Sequence, residues 1–206
     1  WVQGIIAGGR TALWSAAEGA EDDSAAGAQA LRFRGVSARD TVVGIATSGR
    51  TPFVWGALDE ARRAGASSIL LCFNPDLIIP KHRRPTLVIA PSVGPEILTG
   101  STRLKAGTAT KLVLNMFTTL AMVQLGKVRS NLMIDVKATN VKLRDRAIRI
   151  TCELTGADPE IARAALIRNQ WRIADAEASL RGTHQDKNSH RRSSRGQPAR
   201  CSIDRS

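Results

Sequence analysis

The chain has no tyrosine, only three cysteines and three histidines, and aromatic residues make up 4% of its 206 positions. The cysteines, at positions 72, 152 and 201, stand far apart with no metal-ligand spacing. That excludes a disulfide scaffold or a zinc module and fits a reducing compartment. The histidines, His82, His184 and His190, fall in basic stretches, so a metal centre would lack its commonest ligand, and neither a metal nor another cofactor is expected. No apolar run reaches the roughly 18 residues that a membrane span requires, and no signal peptide is visible. A soluble, cytoplasmic protein without a membrane partner is expected. The lysine of a P-loop and the spacing of a GxGxxG fingerprint are both missing, which disfavours a nucleotide.

What is present is enough for one ordinary domain with a small appendage: 43% hydrophobic residues in 22.1 kDa. The formal charge is +12, from 30 basic and 18 acidic residues. Such an excess ordinarily suggests nucleic acid. Here much of it sits in RGTHQDKNSHRRSSRGQPARCSIDRS, residues 181–206, where seven basic residues face two aspartates. That stretch has one large apolar residue, Ile203, and no helical period, so it cannot offset its ordering entropy and is expected to lack structure. It reads either as a basic arm or as a shifted, non-native reading frame. Without aromatics for base stacking or a repeated basic motif it favours the second, and no nucleic-acid partner is expected. At the other end, Trp1 opens directly into an apolar stretch, as though the chain lacked its beginning.

Between these ends, strand and helix signals alternate. Thr41–Ala46 is a run without polar alternation, followed by the loop Thr47-Ser48-Gly49-Arg50-Thr51-Pro52 and a helical stretch from Phe53 to about Ala64. Ser68–Phe73 and Thr86–Ala90 are further buried-strand runs, stopped by Asn74-Pro75 and by Pro91. Strands of this kind are covered on both faces, so the fold class is α/β, a parallel sheet with helices on both sides. Long helices are predicted over about Lys105–Leu125 and Thr139–Leu154. A shorter one, Asp158–Asn169, has Asp158-Pro159 at its start, and its helical pattern fades after Trp171.

Three segments could carry chemistry. The loop Thr47–Thr51 joins a strand end to a helix start, where small hydroxyl residues and a glycine let backbone N–H groups approach an anion under the helix dipole. Ligands of open α/β sheets bind at that end of the strands, and a sugar phosphate suits this loop; an ordinary capped turn is the other reading. The second segment, GPEILTGSTRLKAGT (residues 94–108), holds one carboxylate, two cations and four hydroxyls ahead of a long apolar helix. Ser101 or Thr102 could cap that helix, yet a cap needs a single hydroxyl, which leaves several polar groups for a site. The third is Glu18-Gly19-Ala20-Glu21-Asp22-Asp23, in which Glu18 and Glu21 are spaced to share a helical face. On composition it is a solvated acidic surface.

Together these segments resemble one family. GPEILTGSTRLKAGTATKLVLNM and GKVRSNLMIDVKATNVKLRDRA, with VVGIATSGRTPFVWGALDEARRAGA and EGAEDD, look like the N-acetylmuramic acid 6-phosphate etherases, bacterial enzymes of the sugar isomerase (SIS) fold. The resemblance runs from Val2 to about Leu166. The glucokinase regulatory protein shares the fold and related loops.

The resemblance implies a three-layer αβα SIS-type domain over residues 1–126. A helical extension over 127–155 would pack on it, a remnant of a small helical module would occupy 156–180, and the basic tail 181–206. It implies a carbon–oxygen lyase that cleaves the D-lactyl ether of N-acetylmuramic acid 6-phosphate by elimination and then hydration, in cell-wall recycling, and a homodimer. Glu21 falls on the family's second catalytic glutamate, while Thr47, Ser48, Gly49 and Thr51 match its hydroxyl loop. Glu96, Ser101, Thr102, Arg103 and Lys105 match a further substrate-binding loop. The family's proton-donor glutamate and first phosphate loop would precede Trp1. A non-catalytic sugar-phosphate-binding module that regulates a partner is the alternative.

Overall fold

The computed structural model describes residues 2–182. The stretch from 183 onward, on which the expectation of a structureless basic tail falls, lies outside the described residues. The elements are α1 (Ser24–Phe33), β1 (Thr41–Ile45), α2 (Pro52–Arg63), β2 (Ser67–Leu71), β3 (Leu87–Ile89), α3 (Lys105–Gln124), β4 (Val128–Arg129), β5 (Leu132–Met133), α4 (Val141–Thr155), α5 (Pro159–Arg168) and α6 (173–182). The chain divides into two compact units, one up to Met116 and one from Phe117.

The first unit is built on a parallel sheet in the order β1-β2-β3, with Gly44 opposite Leu70 and Leu70 opposite Val88. The mixed α/β fold with a parallel sheet is therefore as the sequence predicts. Helix α2 lies on β1 and β2. It comes so close at Gly44 that an added Cβ would stand 2.7 Å from Val54 and 3.0 Å from Leu58. Leu58, Leu70 and Cys72 are buried there, flanked by Val42, Val54, Trp55, Leu77 and Val88. This apolar cluster fixes the direction in which α2 leaves β1.

Helix α1 is absent from the sequence reading. Its ten residues, SAAGAQALRF, carry few large apolar side chains, but Asp23 caps it by accepting the Ala26 N–H at 2.8 Å. Small residues are what its packing requires. An added Cβ on Gly27 or Gly56 would run into the backbone of Phe53 or Ser24 respectively, so α1 and α2 cross nearly backbone to backbone. Leu31 closes the contact against Ala57 and Ala61, and Ala28 is buried on the same helix. The predicted helical face shared by Glu18 and Glu21 does not form. Gly19, at φ 72°, breaks the chain between them, leaving Glu18 in a turn and Glu21 in the single 3-10 turn Ala20–Asp22.

In the second unit β4 and β5 form a two-residue hairpin through Ser130 (φ 54°) and Asn131. Helix α4 is capped by Asn140 and ended by Gly156 at φ 70°. Its core joins Ile134, Ala147, Ile150, Leu166, Ile173, Ala176 and Leu180. The helical pattern that fades after Trp171 resumes as α6. Gln170 and Trp171 both take positive φ, turning the chain so that Ile173, Ala176 and Leu180 face the same core as α4. Among the described residues no helix is long and apolar enough to cross a membrane.

Candidate active site

A cleft of about 930 Å³ in the first unit is lined by the whole of β1. β1, the Ala46 that follows it, and Gln3, Ile5, Ile6 and Ala7 near the start of the chain all line it. Five of the residues marked by the sequence line it: Glu21, Thr47, Ser48, Thr51 and Thr102. Residues separated by up to 81 positions are thus brought to one cavity at the C-terminal end of a parallel strand, where such sheets hold ligands. Glu21 arrives there because the α1–α2 crossing fixes the start of α1, just beyond it in the chain. The hydroxyls arrive on the turn between β1 and α2.

That turn is tightly specified. Gly49 has φ 72° and its missing Cβ makes room for Leu77, so any side chain there meets both strain and a clash. The Gly49 N–H donates to the Ala46 carbonyl at 2.8 Å and the Arg50 N–H donates to the Ser48 hydroxyl oxygen at 3.2 Å. Thr51 precedes α2 but makes no side-chain capping hydrogen bond, and Pro52 at the first helical position has no N–H to offer. The positive end of α2 therefore points out beside the hydroxyls of Ser48 and Thr51, a geometry suited to an anion.

The loop ahead of α3 divides. Thr102 faces the cleft, whereas Glu96, Ser101, Arg103 and Lys105 are not among its lining residues, nor is Gly49 of the hydroxyl turn. Glu96 acts on the backbone instead. Its carboxylate accepts the Ala106 N–H at 3.0 Å and the Lys105 N–H at 2.9 Å, holding the first turn of α3. Those two backbone bonds, Ala106 first, keep its pKa below the usual glutamate value. The Lys105 ammonium donates to the Pro95 carbonyl at 2.8 Å, closing the same loop. The sequence offered Ser101 or Thr102 as the cap; a carboxylate nine residues upstream is harder to see.

Residues that sequence reasoning passed over also reach the cleft, among them Arg34 and Asp40. Asp40 accepts the Ser37 N–H at 2.8 Å and the Ser37 hydroxyl at 2.9 Å, which holds its pKa low and marks it as a loop-forming group just before β1. A Ser-x-x-Asp spacing was the signal for it. Among the described residues no group of three or more His, Cys, Asp or Glu is placed to hold a metal ion.

The parallel sheet, the hydroxyl turn and the cleft define an α/β domain with a candidate ligand site at the end of β1. A model of the glucokinase regulatory protein N-terminal SIS domain matches residues 1–62. Over most of its length the chain is also homologous to curated proteins named N-acetylmuramic acid 6-phosphate etherase, as its loop and acidic motifs suggested. It is 55% identical to the one from Serratia proteamaculans over 175 residues, 85% of this chain and 58% of that protein. Identity to the Pectobacterium atrosepticum protein is 57% over 165 residues, 80% of this chain and 54% of the relative. For Yersinia pestis the figures are 54%, 85% and 59%. The chain thus spans between half and two thirds of the length of these relatives.

Proposed function

We propose that the chain supplies the base side of an etherase site that cleaves the D-lactyl ether of N-acetylmuramic acid 6-phosphate, with N-acetylglucosamine 6-phosphate and D-lactate as products. The observation that carries this reading is the cleft in which Glu21 shares one cavity with the hydroxyls of Thr47, Ser48, Thr51 and Thr102.

The chemistry asks for few parts. In the open-chain sugar the aldehyde acidifies the C2 proton, and Glu21 as carboxylate takes it. The electron pair moves into an enolate, then expels the lactyl oxygen from C3, which leaves with a proton from an acid. Water adds to C3 of the unsaturated aldehyde and a proton returns to C2. Hydroxyl donors already held in place stabilise the enolate more than they stabilise the ground state. The phosphate, held at the open end of α2, contributes remote binding energy that aligns C2 with the base. Glu96, Ser101, Arg103 and Lys105 act behind Thr102, shaping its loop. The substrate is a sugar phosphate in the cytoplasm, and the assembly a homodimer.

Because the chain spans part of its relatives' length, the test is a chimaera in which the matched 175 residues of the Serratia protein are replaced by this chain's. It should release D-lactate, and Glu21→Gln, which keeps size but removes the base, should lower the rate by at least about a hundredfold. Full activity in that variant refutes the assignment. The match to the regulatory protein's SIS domain favours a second reading, a non-catalytic sugar-phosphate-binding module. That reading expects saturable binding of N-acetylglucosamine 6-phosphate and no lactate from the chimaera.

A further inference from the structure

The hydroxyl turn that lines the cleft is held from behind by a residue the motif does not include. Trp55 lies on α2, one turn in, and its indole N–H donates to the Gly49 carbonyl at 2.8 Å. The Arg83 guanidinium lies over the same ring, 4.9 Å from its centroid. Arg83 is itself fixed, donating to Asp59 on α2 at 2.6 Å and 3.5 Å, with Arg62 on the same carboxylate at 3.1 Å. Earlier in the same connection, Leu77 fills the space left by the missing Cβ of Gly49. The segment between β2 and β3 therefore grips the turn at two points, once through Leu77 and once through Arg83 and Trp55.

The consequence reaches the cleft through one peptide unit. The Gly49–Arg50 peptide is planar, so fixing its carbonyl fixes the opposite direction of its N–H. That N–H donates to the Ser48 hydroxyl oxygen at 3.2 Å. That bond holds the Ser48 oxygen through one of its two lone pairs, leaves its O–H free to donate, and Ser48 lines the cleft. An indole N–H on the far side thus helps to set where a cleft hydroxyl oxygen stands.

We propose that Trp55, braced by Arg83 and Asp59, is a positioning residue that presets the Ser48 hydroxyl for an anionic ligand. The proposal rests on reading this turn as part of a sugar-phosphate site. It predicts that the ring alone is not enough: the N–H matters for the turn, and the guanidinium stack matters for the ring.

The test uses the whole chain, its Trp55→Phe and Arg83→Lys variants, and N-acetylglucosamine 6-phosphate as the probe. Amide hydrogen exchange at Gly49 and Arg50, followed by NMR without ligand, reads the turn; titration with the probe reads the site; the urea midpoint reads the fold. Trp55→Phe keeps a ring under Arg83 and loses the N–H. Exchange at Gly49 and Arg50 should quicken, and probe affinity should fall about threefold to tenfold, the range expected for one net hydrogen bond. Arg83→Lys keeps the charge for Asp59 without the planar face, and should lie between parent and Trp55→Phe. Unchanged turn exchange in a folded Trp55→Phe overturns the proposal. So does a fall in midpoint with turn exchange moving only in step with the rest of the chain, which makes Trp55 a core residue and no more. If neither the parent chain nor the chimaera described above binds the probe, the sugar-phosphate reading falls instead, while the exchange rates still decide whether the clamp exists.

Discussion

Replacing Gly56 with alanine perturbs the contact on which the whole first unit turns. The new Cβ would stand 2.7 Å from the Ser24 carbonyl carbon and 2.8 Å from the Ser24 hydroxyl, and closer still to the carbonyl oxygen. Ordinary contact begins at 3.4 Å, so α1 and α2 must separate, and backbone atoms cannot rotate aside as a side chain would. Overpacking of this kind costs typically about 1–3 kcal/mol and occasionally more; with rigid backbone on both sides about 4 kcal/mol is the appropriate figure. Alanine returns about 1 kcal/mol of helix propensity. The net loss is then about 3 kcal/mol, and for a unit of this size the thermal midpoint should fall by roughly 10 °C. Gly107→Ala is the control. It lies within α3 with a nearest non-local atom at the ordinary distance of 3.5 Å, so it should be neutral or stabilising by up to about 1 kcal/mol. Thermal melts followed by circular dichroism decide the matter. If Gly56→Ala melts with or above the parent, the tight crossing is wrong, and so is the account of what holds Glu21 at the cleft.

Two further expectations concern ends of helices. Asp23→Ala removes the acceptor of the Ala26 N–H and should cost about 1 kcal/mol in urea unfolding, with Asp23→Asn largely restoring it; equal stability of parent and alanine variant would show that the cap is idle. The Glu96 carboxyl has a folded pKa below its ordinary 4.5, chiefly through the Ala106 and Lys105 amides. Its contribution is therefore complete above that ordinary value and is lost as pH falls through the lower folded one. Asp40, held by Ser37, and Glu60, held by Arg32, act in the same sense. Urea midpoints taken down through the acid range should fall less steeply for Glu96→Gln than for the parent, and parallel curves would refute the cap.

The strands and most helices are legible in the sequence because each is a local pattern. Unbroken apolar runs mark β1, β2 and β3, and α2 begins where Pro52 says it can. Helix α1 is not legible, since its buried face holds one large apolar residue, Leu31, beside Gly27 and Ala28, which signal nothing until the backbone of α2 is known to lie against them. Helix α6 hides behind two residues of positive φ. The site divides in the same way. The hydroxyl turn is visible as a strand–loop–helix junction, whereas the approach of Glu21 to it is the product of two glycines on different helices. Spacing alone put Glu18 and Glu21 on one face, and Gly19 undoes that arrangement. The roles of Glu96 and Trp55 were out of reach because each acts on a backbone group that only the tertiary fold brings near.

Among the described residues β1 is paired on one side only, with β2. The strand that lines the cleft thus also has an edge that no described strand covers, and a ligand is not the sole thing that fits such an edge. An extended segment of another polypeptide could dock there by the same ladder geometry that joins β1 to β2. The brevity of β1, five residues, limits how much strand can be added. The edge of β1 and the lining of the cleft are thus one surface, so a ligand seated there and an added strand would exclude each other.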